Sequence, residues 1–375
     1  MTILRKCAMI IFVILLALAW PVPSPAQAAS PPYAPGQLIV KFKPNLTMKA
    51  KANFHQQHGA VVLEKNAQLG FEVIQFQGTS VPDMMKRYQQ SPYVEYVEPN
   101  YLAQALAVPN DPLYPQQWGL QKIGGPFEGT ANAVKLAVID TGVQSDHPDL
   151  SGKVIQGWDF VDDDSISQDE NGHGTAVAGI AAAKINNAIG IAGTTNTAQI
   201  LAIRVLNNSG SGTFADIASG ITYAADQGAR VINLSLGGST SSSVLENAVN
   251  YAWNKGAVLV AAAGSSANTS PSYPAYYPNV IAVACTDPND NKCSFSSYGN
   301  WIDIGAPGLN IITTYLGNTY QTMSGVSLST AFVSGTAAYL ASLGKTNSQI
   351  RHTIEDQCPA PVAGHSFGRL RINCP

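Results

Sequence analysis

Ser327 stands in the run Gly325-Val326-Ser327-Leu328-Ser329-Thr330-Ala331-Phe332-Val333-Ser334-Gly335, which continues through Ala337, Ala338, Tyr339 and Leu340. The small residues suit a helix packed tightly into a core, and Gly325 is expected in a backbone conformation closed to other residues. Ser327 then falls in the first helical turn. There, free N–H groups and the positive end of the helix dipole favour any negative charge developing beside its hydroxyl. An acyl-transfer nucleophile needs that environment, although an isolated Gly-x-Ser equally describes a helix cap. The partners of Ser327 therefore decide its meaning. Asp140 closes the apolar run Ala137-Val138-Ile139-Asp140-Thr141-Gly142-Val143, where turn N–H groups can hold a buried carboxylate that faces a neighbour. His173, in Asn171-Gly172-His173-Gly174-Thr175-Ala176-Val177-Ala178-Gly179, has flanking glycines that leave room for a substrate and an intrinsic pKa suited to a general base. The rival reading of Asp-Thr-Gly, two such loops sharing one proton, fails because the chain carries a single copy.

An alternation of strand and helix positions these groups. Apolar strands are expected at Val134 to Asp140, Ile200 to Leu206, Val231 to Leu236, Val258 to Ala263 and Val280 to Ala284. Helices are expected at Gly174 to Lys184, Phe214 to Gln227, Val244 to Lys255, Ser327 to Leu343 and Ser348 to Asp356, the second and third ending at Gly228 and Gly256. That order predicts an α/β fold with a mostly parallel sheet, its reactive groups at the carboxyl ends of the strands.

The chain before this region differs in character. Between residues 30 and 106, Lys and Arg outnumber acids by seven to five. Strands at Gln37 to Phe42, Gly70 to Phe76 and Tyr93 to Val97, with helices at Met48 to His58 and Pro82 to Gln90, predict a small α+β sandwich. The run Ala103-Gln104-Ala105-Leu106-Ala107-Val108-Pro109 joins it to the larger unit and reads as cleavable. Arg5 and Lys6 ahead of an apolar run to Trp20, then Ala26-Gln27-Ala28, read as a secretory signal cleaved after Ala28. Export leaves Cys285, Cys293, Cys358 and Cys374, an even number that predicts disulfides. Loop closure favours the local pairs Cys285 with Cys293 and Cys358 with Cys374, and no CxxC spacing supports zinc. With 12% charged residues and a net charge of -3, nothing favours nucleic acid or an acidic membrane surface, and no second hydrophobic stretch offers an anchor.

With Asp140, His173 and Ser327 in that order, the chain resembles the subtilisin family of serine proteases, most closely its thermitase-like members. The resemblance implies a three-layer fold with a signal peptide at 1–28, an inhibitory propeptide at 29–106 and a catalytic domain at 107–375. It implies that Ser327 attacks the scissile carbonyl, His173 carries the proton and Asp140 compensates the imidazolium. Ser235, Leu236 and Gly237, with Gly210 and Gly212 across from them, would pair with an extended peptide backbone. Ala262, Ala263 and Gly264 would wall a pocket for a bulky apolar side chain. Self-cleavage after about Leu106, a propeptide that inhibits, protein or peptide substrates, secretion and a monomeric state are implied as well. Several positions depart from the family: Ser265 replaces the asparagine that donates to the oxyanion, Val326 replaces a threonine, and Ala176, Leu328, Ser329, Ala331 and Phe332 differ from the common pattern as well.

Asp159, Asp162, Asp163 and Asp164, with Gln168 and Asp169 beyond, crowd carboxylates into one loop that is either solvated or suited to a hard cation. The resemblance implies structural calcium at two sites. One would use Asp159, Asp162, Asp164, Gln168 and the Ile166 carbonyl. The other would use Asp111, Asp149, the Asn187 side chain and the carbonyls of Lys184, Ile189 and Ile191.

Overall fold

The computed structural model describes residues 33–102, 108–129, 133–357 and 359–371. Two units divide the chain between Leu106 and Ala107. In the first, strands Tyr33–Phe42, Ala60–Asn66, Phe71–Phe76 and Val94–Tyr101 form an antiparallel sheet in which the first strand lies between the third and the fourth. Helices Met48–Gln57 and Val81–Gln89 start where Thr47 and Ser80 accept the N–H groups of Ala50 and Asp83. Leu38, Val40, Ile74, Phe76 and Met84 build the core. The strand Ala60–Asn66 escapes sequence reading because it does not alternate: Val61 and Leu63 are exposed.

The second unit is built on nine strands. From one edge to the other they run Ala360–Pro361, Gly368–Arg369, Ile304–Pro307, Val280–Thr286, Val258–Ala262, Val231–Leu234, Val134–Asp140, Ala198–Arg204 and Val154–Asp159. Every pairing is parallel except that of the outermost two-residue strand. A strand buried on both sides sends alternate residues to opposite layers. Leu136 and Val138 join the core beneath helices His173–Ala182 and Val326–Ser342, whereas Ala137 and Ile139 join the core beneath Phe214–Asp226 and Ser243–Asn254. The three-layer α/β architecture follows, with the expected strands and helices present to within a few residues of their bounds. The strands Val154–Asp159 and Ile304–Pro307 and the hairpin Ile311–Tyr315 with Thr319–Met323 were not expected. The last helix is shorter than expected, Asn347–His352, and its continuation Thr353–Gln357 is a π-helical turn.

The helices of the first layer lie unusually close. A Cβ on Gly335 would come 2.6 Å from both the Ala181 carbonyl oxygen and the Thr194 Cβ. Gly335→Ala gains about 1 kcal/mol of helix propensity but overpacks a contact whose usual penalty is about 1–3 kcal/mol. The expected outcome is a thermal midpoint lowered by a few degrees in calorimetry, and a raised midpoint would contradict the tight contact.

Candidate active site

Strand Val134–Asp140 lies between Ala198–Arg204 and Val231–Leu234. The chain passes to one side of it first and to the other afterwards, so a crevice opens at the carboxyl ends of these three strands. Asp140 ends the first of them and is fully buried. Its Oδ1 accepts the Thr141 N–H at 2.8 Å and His173 Nδ1–H at 2.7 Å. His173 opens helix His173–Ala182, capped by Gly172 at φ 102. Gly174 permits the approach, since a Cβ there would lie 2.0 Å from the Gly142 carbonyl oxygen.

Asp169 locks this arrangement. Its Oδ1 accepts the Thr141 hydroxyl at 2.8 Å and the N–H groups of Asn171 and Gly172 at 2.9 Å, and its Oδ2 accepts both the N–H and the hydroxyl of Thr175. Thr141 Oγ1 in turn accepts the Gly174 N–H at 3.0 Å. The turn after Asp140 and the helix that starts at His173 are thus fastened through one buried carboxylate. In the sequence, Asp169 stands only among the acidic residues of its loop. Its position just before a helix, where an Asp oxygen takes up free N–H groups, was the available signal. Burial disfavours the imidazolium, but the charge of Asp140, the hydrogen bond to it and the charge of Asp169 outweigh burial and raise the His173 pKa above its ordinary value.

Ser327 lies in the first turn of Val326–Ser342, half-buried. Its hydroxyl donates to the Ser235 carbonyl at 3.2 Å, and the Ser235 hydroxyl donates to the Ser327 carbonyl at 3.0 Å. His173 and Ser235 line one cleft of about 510 Å³, together with Thr141, Gly210, Gly212, Leu236 and Gly237. Gly325, at φ 173 and ψ 152, is extended backbone open to any residue, which corrects the expectation of a conformation reserved for glycine.

A second cavity, of about 240 Å³, is lined by Gly237, Ala263, Gly264 and Ser265 with further serines at 266, 270, 272 and 297. Its walls mix hydroxyl and backbone groups with apolar surface in about equal measure. Ala262 does not line it. That residue packs instead with Cys285, Cys293 and Val326, because neighbouring strand residues face opposite ways. Ser265 is exposed, and its hydroxyl has no partner among the described residues. The disulfide Cys285–Cys293 is formed, with Cα atoms 5.4 Å apart. Cys358 and Cys374, the 1–28 segment and the joint at Leu106 lie outside the described residues.

Of the acidic loop, Asp159 and Asp162 both receive Arg204 Nη1, at 2.8 and 2.7 Å, while Nη2 reaches Glu170 at 3.1 Å. Asp164 Oδ1 accepts the Ile166 N–H, and the Ile166 side chain is exposed. Among the described residues, no group of three or more His, Cys, Asp or Glu side chains converges as a metal site. The other candidate set is more closely knit. Asp149 accepts from Asn187 Nδ2, the Ile191 N–H and the Tyr320 hydroxyl, and Asp111 accepts the N–H groups of Asn186 and Asn187. Lys184 N–H donates to the Asp149 carbonyl, and Ile189 N–H to Asn187 Oδ1. Asp111 and Asp149 are both buried, and neither has a cationic partner among the described residues.

Comparison with known proteins agrees with this geometry. The profile of the subtilase family matches residues 131–368, and that of the fervidolysin N-terminal prodomain matches residues 21–100. Thermitase of Thermoactinomyces vulgaris is 59% identical over 252 residues, covering 66% of this chain and 90% of that protein. The thermophilic serine proteinase of Bacillus sp. (strain AK1) is 48% identical over 346 residues, covering 90% of this chain and 86% of that protein. The solved structure of sphericase superposes with a TM-score of 0.64 at 34% identity, covering 69% of this chain and all of that one. The chain belongs to the subtilase family and is a serine protease with an N-terminal prodomain-like unit.

Proposed function

We propose that the protein is a secreted endopeptidase that hydrolyses peptide bonds through Asp140, His173 and Ser327 and an acyl-enzyme at Ser327. The observation that carries the reading is the 2.7 Å bond from His173 Nδ1 to buried Asp140, which fixes the imidazole with Nε2 free to take a proton. Ser327 would lose its proton to that nitrogen and attack the carbonyl, and His173 would return the proton to the leaving amine. The Ser327 N–H, at a helix start, would face the developing oxyanion. Gly210 and Gly212 on one side of the cleft and Ser235 to Gly237 on the other would hold the substrate as an added strand. The first unit would be a propeptide, removed by self-cleavage near Leu106.

Ser265 favours a second reading, a weakened relative that binds peptides. A serine hydroxyl is shorter than an asparagine amide, and loss of one oxyanion donor costs about a hundred- to a thousandfold in turnover. One experiment separates the two. The chain without residues 1–28 and its Ser327→Ala variant are exposed to a fluorophosphonate, and label and mass are read together. The endopeptidase reading expects a parent cut near Leu106 and labelled at Ser327, beside an uncut, unlabelled variant. A folded parent that neither labels nor shortens would leave the peptide-binding reading.

The raised pKa of His173 gives a second test. A general base acts only when neutral, so kcat/KM is lost as the pH falls through that raised value. The acid limb of the profile should lie above 6.5, the ordinary histidine value. A midpoint at or below 6.5 would contradict the roles given to Asp140 and Asp169.

Structural calcium is part of the same proposal. Burial pushes the Asp111 carboxyl up, the amides of Asn186 and Asn187 work against it, and the charge of Asp149 adds to the rise. Two buried carboxylates of this kind, without a cation, suit an oxygen-seeking divalent ion. Asp111, Asp149, the Asn187 side chain and the carbonyls of Lys184, Ile189 and Ile191 would hold it. The Asp159, Asp162, Asp164, Ile166 and Gln168 set fits less simply, since Asp159 and Asp162 already pair with Arg204. Excess chelator should lower the thermal midpoint of the protein, and an unchanged midpoint would exclude structural calcium.

A further inference from the structure

Asn233 is out of place. It is fully buried in Val231–Leu234, where Val231 joins the core under helix Val326–Ser342 and Ile232 and Leu234 face the opposite layer. By strand alternation, the Asn233 side chain therefore points at that helix. A buried amide costs stability unless hydrogen bonds satisfy it, and an apolar residue would fill the position more simply. Here both ends of the amide are used. Ser334 Oγ donates to Asn233 Oδ1 at 2.8 Å, and Asn233 Nδ2 donates to Ser235 Oγ at 3.0 Å. Ser235 Oγ then donates to the Ser327 carbonyl at 3.0 Å, and Ser327 Oγ donates back to the Ser235 carbonyl at 3.2 Å.

Three side chains thus form a directed chain that begins and ends on one helix. Each hydroxyl has a single proton, so the direction is fixed once Ser334 gives its own to Asn233. Ser334 lies seven residues after Ser327, two turns along the same helix face. The helix is tied to the strand at both points, against sliding along its axis and against rotation about it. The strand end so tied carries Ser235, a wall residue of the cleft that His173 also lines.

We propose that Asn233 and Ser334 are positioning residues that set the Ser327 hydroxyl relative to His173. They touch no reacting atom. Their effect is on where the nucleophile sits, and displacement by about 1 Å can cost about a hundredfold in rate. The inference rests on the reading of Ser327 as the nucleophile.

The test compares the parent with Asn233→Leu, Ser334→Ala, Ser334→Thr and the double variant Asn233→Leu/Ser334→Ala. Peptide-anilide kinetics and the rate of fluorophosphonate labelling are measured at a temperature where circular dichroism shows each to be folded. Asn233→Leu, close in volume, should lower kcat and labelling together by about ten- to a hundredfold with KM little changed. Ser334→Ala should lower them by less, and Ser334→Thr, which keeps the hydroxyl, should stay near the parent. The double variant should be no slower than Asn233→Leu alone, because both changes cut one chain. If Asn233→Leu does not fold, the Ser334 pair decides. Variants with the kcat of the parent, losses confined to KM, or equal losses in Ser334→Ala and Ser334→Thr would overturn the proposal while leaving Ser327 as nucleophile. A parent that fails to label would remove that reading and this inference with it.

Discussion

A carboxylate cut off from water at the end of a central strand governs the second unit. Asp140 has to be satisfied by the protein, and one oxygen takes both the Thr141 N–H and His173. Bringing an imidazole that close requires the helix start to lie almost on the turn, and only a residue without a side chain fits at 174. The approach also leaves free N–H groups at the helix start, which Asp169 collects. The glycines around His173 and the second acid therefore follow from the burial of the first.

The same constraint reaches the layer that carries Ser327. Helices His173–Ala182 and Val326–Ser342 pack directly against each other and are buried on nearly every side, so they are rich in Ala, Gly, Ser, Thr and Val and have no polar face. Some buried hydroxyls in and beside these helices find partners, whereas Ser329 Oγ and Thr336 Oγ1 have none among the described residues. Thr313 and Thr314 of the hairpin strand bond to the carbonyls of Ala176 and Thr175, and Ser334 bonds to Asn233. The two outer helices Phe214–Asp226 and Ser243–Asn254 keep the ordinary division between a buried and a solvated face.

That contrast explains what could be read from the chain. The central strands were legible because burial on both faces leaves continuous apolar runs, as in Val134–Asp140 and Val258–Ala262. Thr319–Met323 and Ala60–Asn66 were not, since polar or exposed residues fill them and their pairing is decided by what lies across the ladder. Asp140, His173 and Ser327 stood out through their small-residue surroundings. Asp169, Asn233 and Ser334 did not, because a carboxylate, an amide and a hydroxyl become meaningful only when the fold supplies the group each one faces. Arg204 likewise changes the reading of the acidic loop: its guanidinium comes from a neighbouring strand, 45 residues from Asp159.

Val326 and Ser265, two of the departures from the family pattern, have different physical standing. Val326 is buried among Ala262, Cys285 and Cys293, with Phe295 and Leu309 against them. A threonine there would bring a hydroxyl into a floor that offers mostly carbon and sulfur, so valine completes a dry packing around the disulfide. That substitution is accounted for without reference to chemistry. Ser265 has no such account. It is exposed on the wall of the second cavity. On the Asp140 and His173 side, Asp140 Oδ1 takes two hydrogen bonds, whereas its equally buried Oδ2 has no partner among the described residues.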